Sequence, residues 1–68
     1  MLAQVEAHRA EHATRLAHYE QLAAAAGEPR TERELDVHLV LLGGIRLEQF
    51  WVAWLTDHLD AHTAPGVS

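Results

Sequence analysis

ELDVHLVLLGGIRLEQFWVAWLTDHL, residues Glu34 to Leu59, decides how this chain must fold. It holds both Trp residues, the only Phe and the only Ile of the sequence. Apolar side chains stand at 35, 37, 39, 40, 41, 42, 45, 47 and then at every position from 50 to 55. On a helix that set covers nearly the whole circumference instead of one stripe. Such a helix needs cover on most sides, and a 68-residue chain holds too little other material to surround it. The sequence therefore predicts a small helical association module in which a second copy of the chain supplies the missing cover.

Working outward, length and composition point the same way. A domain of this size buries only about 60% of its unfolded surface and is marginal alone, so it needs a staple. Cysteine is absent, which excludes a disulfide and is compatible with a reducing cytoplasm, the expected location. Ten acidic residues against five Arg give a net charge of -5, the wrong sign for gripping a phosphate backbone. No basic segment precedes an N-terminal hydrophobic run, so no signal peptide is expected. The run from Leu39 to Leu55 approaches a membrane span in length, but Arg46, Glu48 and Gln49 interrupt it. Each charge there would cost about 2.5 to 3.5 kcal/mol on insertion scales, and no membrane partner is expected.

From Leu2 to Ala26 nothing breaks a helix, and Ala, Leu, Glu, Gln and Arg dominate. Its larger apolar residues, Leu2, Val5, Leu16, Tyr19 and Leu22, form a narrower stripe interrupted by Arg9 and His12. Glu11 with Arg15 and Glu6 with Arg9 have the spacing of surface ion pairs. Ala3, Ala7, Ala10, Ala13 and Ala17 are small enough to admit another helix. Gly27 fits the left-handed residue after a helix end, and Pro29 confirms the stop. Thr31 followed by Glu34 fits a capping box, so a second helix should start at Glu32 and run to about His62. The short connection implies an antiparallel two-helix hairpin, all-α, occupying residues 1–62 and assembling as a homodimeric helical bundle. Residues 63–68, with Pro65 and Gly66, are expected to be a disordered tail. Gly43 and Gly44 inside helix two cost about 1.5 to 2 kcal/mol together relative to Ala. They mark either a kink or neutral substitution, or the close approach of a facing helix.

Six His residues raise a metal site, since His8 and His12, and likewise His58 and His62, have i,i+4 spacing. Counted from the helix ends, the two pairs miss each other by roughly 12 Å within one hairpin. With no Cys or paired acid in support, no metal and no cofactor is expected, and the histidines read as polar surface groups. Catalysis has no foothold: the only Ser is terminal, the carboxylates are scattered, and Gly43-Gly44 lacks a preceding strand and a P-loop Lys. Phe50, Trp51 and Trp54 remain. They either fill an intersubunit core or line a site for a flat, apolar ligand between subunits. Matching levels from the helix ends puts Trp54 opposite Val5. Arg46, Glu48 and Gln49 are expected to find partners across the interface, where a polar group can fix register.

HRAEHATRLAHYEQLAAA at residues 8–25, a Pro-containing turn, and LVLLGGIRLEQFWVAWLTDHL at 39–59 together resemble the C-terminal two-helix domain of PadR-like transcriptional regulators, also described as the virulence activator alpha C-terminal domain. The marks of the resemblance are Tyr19-Glu20 with Leu22, the Leu-rich approach to Gly44-Ile45, and Trp54-Leu55. Gly43 and the crowded Phe50-Trp51 depart from the pattern. The resemblance implies a bacterial dimerisation domain that follows a winged helix-turn-helix head and pairs two such heads. That head has no counterpart here, so DNA contact is expected only through an absent N-terminal domain. It also implies that a small aromatic effector could bind at Trp51 or Trp54, beside which Phe50 completes the candidate ligand-binding set. The expected interface through helix two comprises Leu39, Leu42, Ile45, Leu47, Trp51, Trp54 and Leu55.

Overall fold

A computed structural model of the chain describes residues 2–63. Helix α1 spans Leu2–Ala26 and helix α2 spans Glu32–Thr63. The helix breaker and the cap act where the sequence puts them. Gly27 sits at φ +67°, a conformation that costs a residue with a Cβ. The Thr31 hydroxyl accepts the Glu34 amide at 3.1 Å, and the Thr31 carbonyl accepts the Leu35 amide at 2.9 Å, opening α2. Only the hydroxyl half of the expected capping box is made among the described residues. Glu32 and Glu34 in the first turn also suit the positive end of the helix dipole. Thr63 is helical, one residue beyond the expected end at His62, and the rest of the expected tail lies outside the described residues.

The two helices lie antiparallel in a hairpin 54 Å long and only 16 by 15 Å across, so every interhelical contact lies along one line. The facing residues repeat at alternating steps of three and four. On α1 these are Leu2, Val5, Arg9, His12, Leu16, Tyr19, Ala23 and Ala26; on α2 they are His38, Leu41, Ile45, Glu48, Val52, Leu55, Leu59 and His62. This is the period at which two helices keep one seam in contact along their length. We call it the inner seam. Leu55 is its buried apolar residue at 7% exposure, and most of the others are half-buried. Ala3, Ala7, Ala10, Ala13 and Ala17 are exposed.

The register differs from that obtained by counting from the helix ends. Trp51 packs on His12 and Gly44 lies against Tyr19, so Trp54 falls near His8 or Arg9 and not opposite Val5. The displacement is about four residues, or roughly 6 Å at the α-helical rise. Its cause is the 27–31 connection, which carries the chain past Ala26 before α2 begins. The first turn of α2 therefore overhangs, and Ala26 shares a groove with Val37.

Candidate functional site

The inner seam is interrupted at its middle by a carboxylate. Glu48 is the most buried side chain described, at 4% exposure, and two residues of α1 satisfy it. The proton of His12 Nδ1 is donated to Glu48 Oε2, and Arg15 Nη1 donates to Oε1 at 3.1 Å. Both carboxylate oxygens are thus occupied, as a buried ion requires. Burial pushes the Glu48 carboxyl up, but the hydrogen bonds and charges of His12 and Arg15 outweigh it and hold the group below its ordinary value. One turn further on, Arg9 Nη1 donates to Thr56 Oγ1 at 3.5 Å.

Three sequence expectations are corrected here. Glu48 finds its partners inside its own hairpin and not across an interface, because the register brings it level with His12 and Arg15. Arg15 accordingly turns to Glu48 instead of Glu11, whose carboxylate lies 3.9 Å from His8. His12 is a seam residue, 21% exposed at its side chain, and not a surface group. The signal was present in the sequence: Arg9 and His12 fall on the same three-four rhythm as Leu2, Val5 and Leu16.

Beside this polar layer the rings form a continuous file. His12 stacks on Trp51 at 5.6 Å and 14°, Trp51 meets the edge of Trp54 at 5.8 Å, and Trp54 stacks on His58 at 5.8 Å. Phe50 meets Trp51 edge-on at 5.6 Å. His62 lies against His58 and donates Nδ1–H to its carbonyl at 2.9 Å. Among the described residues no three metal-ligating side chains converge.

Most of this file belongs to a second, outer seam on α2. Val37, Val40, Gly44, Leu47, Trp51, Trp54, His58 and Ala61 repeat at the same alternating steps, one position out of phase with the inner seam. The single hairpin leaves much of this seam uncovered: Val40 is 78% exposed, Val37 60%, Leu47 55% and Trp54 50%, with Phe50 beside them at 57%, while Gly44, Trp51 and His58 are half-buried. A shallow apolar groove between the helices borders it, lined by Tyr19, Leu22, Val37, Val40 and Gly44. Gly44 lets the Tyr19 ring lie on the α2 backbone, since a Cβ there would stand 3.3 Å from Tyr19 Cε2; Gly43 faces open space. Close approach thus accounts for Gly44.

The seven expected interface residues divide three ways. Leu47, Trp51 and Trp54 lie on the outer seam. Leu39 is exposed on the back of α2, and Leu42 is half-buried on the flank away from Trp51. Ile45 and Leu55 face α1, so the structure assigns them to the hairpin core. Val37, Val40 and Gly44 complete the outer seam and stand outside the expected set, because a helix apolar on all sides hides two overlapping heptads.

The model of one family, virulence activator alpha C-term, matches residues 1–63. The chain belongs to that family. This virulence activator alpha C-terminal domain is therefore a regulator-type module made of two helices. No curated protein and no solved structure matches it. By length and composition alone, α2 of this family member is also long and apolar enough to cross a membrane.

Proposed function

We propose that this chain is the dimerisation domain of a PadR-like bacterial transcriptional regulator, acting in the cytoplasm as a binding module and not as an enzyme. It holds two copies together through α2, so that winged-helix heads joined N-terminal to such a domain engage DNA as a pair. The observation that carries this reading is the uncovered outer seam, with Val40, Leu47, Phe50 and Trp54 each at least half exposed in an otherwise paired hairpin. Contiguous apolar surface of that kind marks an interaction site. A second copy suits it better than lipid. Glu48 with Arg15 and His12 lies at mid-helix, and Asp36, Arg46 and Asp57 stand on the outward side, where a bilayer would exact a high cost.

Sedimentation equilibrium at micromolar concentration tests the proposal, with a dimer expected and a well-folded monomer counting against it. The aromatic file favours a second role, capture of a flat apolar effector against Trp51 or Trp54 within the dimer. Titration with planar phenolic compounds should then quench Trp emission saturably, and a Trp54→Ala variant should lose the effect. Unchanged emission over the titration would remove this second role.

A further inference from the structure

The outer seam complements itself in one direction only. Its half nearer the turn is small and smooth, with Val37, Val40 and the Gly43-Gly44 pair, and its other half carries Phe50, Trp51, Trp54 and His58. We infer that two copies pair through α2 antiparallel, about a two-fold axis at Leu47, and that the groove between α1 and α2 beside Val40 receives Trp54 of the second copy. This rests on the proposed dimerisation and adds its direction and its anchor.

With Leu47 at the axis, the helical rise sets Trp54 of one copy level with Val40 of the other, and Phe50 and Trp51 level with the Gly43-Gly44 backbone. Large groups then meet small ones along the whole seam, as close packing demands. Gly43, where a Cβ would meet nothing within 4 Å in the single hairpin, becomes the floor on which a ring rests. The groove wall is apolar apart from Asp36 at its edge, and Leu22 of α1, 46% exposed, extends it beyond α2. A parallel pairing would instead oppose Trp54 to Trp54 and glycine to glycine, leaving a void at one level and a clash at another.

Charge selects the same direction. Arg33 continues the outer seam toward the turn, where antiparallel pairing sets it level with Ala61 of the second copy, and the same register sets Asp36 level with His58. Parallel pairing would face Asp57 with Asp57 and Arg33 with Arg33, a repulsion that sets orientation in paired helices.

The chain has no native cysteine, so single-cysteine variants report the pairing directly. Val40→Cys and Trp54→Cys proteins, mixed, exchanged and treated with a short bis-maleimide, should yield a covalent dimer in the mixture that neither gives alone. Arg33→Cys with Ala61→Cys repeats the test while leaving the apolar seam intact, and Leu47→Cys should cross-link with itself. Self-linking of Val40→Cys or of Arg33→Cys would overturn the antiparallel pairing. So would a dimer by sedimentation in which neither mixture links, and both results leave dimerisation standing. A monomer by sedimentation would remove the dimer and this pairing together.

Discussion

At the residue scale, Glu48 fixes how the hairpin is aligned, because sliding α2 by one turn would bury its carboxylate away from His12 and Arg15. Removing it in Glu48→Ala strands two donors, of which Arg15 can still turn to solvent, and should cost about 1 to 3 kcal/mol in a denaturant melt. The pH dependence has a definite sign. The folded carboxyl titrates below its ordinary value near 4.5, so its contribution is complete above that value and is lost as pH falls through the folded one. Glu48→Gln lacks this term. The gap in melting temperature between the natural chain and Glu48→Gln should therefore be widest near neutrality and close in acid. A gap that stays constant from pH 7 to pH 3 would show that the carboxylate is not held by its partners.

At the element scale, helix ends and connections were legible because local chemistry determines them. Gly27 has the positive φ that its place after the Ala run implied, and Thr31 caps α2 through the Glu34 amide. Thr31→Ala should cost about 1 kcal/mol in a thermal or denaturant melt, with the oligomeric state unchanged. What the sequence hid is relational. Register depends on how far the 27–31 connection overshoots Ala26, and no count from helix ends contains that distance. The partner of Glu48 depends on the same distance, since one turn of slip decides whether His12 and Arg15 come level with its carboxylate. Gly44 tests the revised register. Gly44→Val should cost about 1 to 3 kcal/mol by overpacking against the Tyr19 ring, and a Tyr19→Ala second change should return part of that loss.

At the scale of the whole molecule, one hairpin two helices thick buries a single apolar side chain among the described residues, Leu55. With a second copy supplying the cover, as proposed, folding and assembly are coupled, and the melting temperature should rise with protein concentration in calorimetry over a hundred-fold range. A midpoint that does not move would mean that the hairpin is stable unaided. The expectation that α2 needs more cover than its own chain provides follows from counting apolar positions, whereas which positions stay uncovered required the observed seam. The nested contacts about the 27–31 connection carry a kinetic consequence. Each interhelical contact lies outside the previous one, so the hairpin can zip from the closed end without searching for distant pairings. Low contact order of this kind belongs to chains that collapse in microseconds to milliseconds. Under the proposed dimerisation, any slower phase seen on refolding should accelerate with protein concentration, because the encounter of two zipped but still marginal hairpins is the remaining bimolecular step.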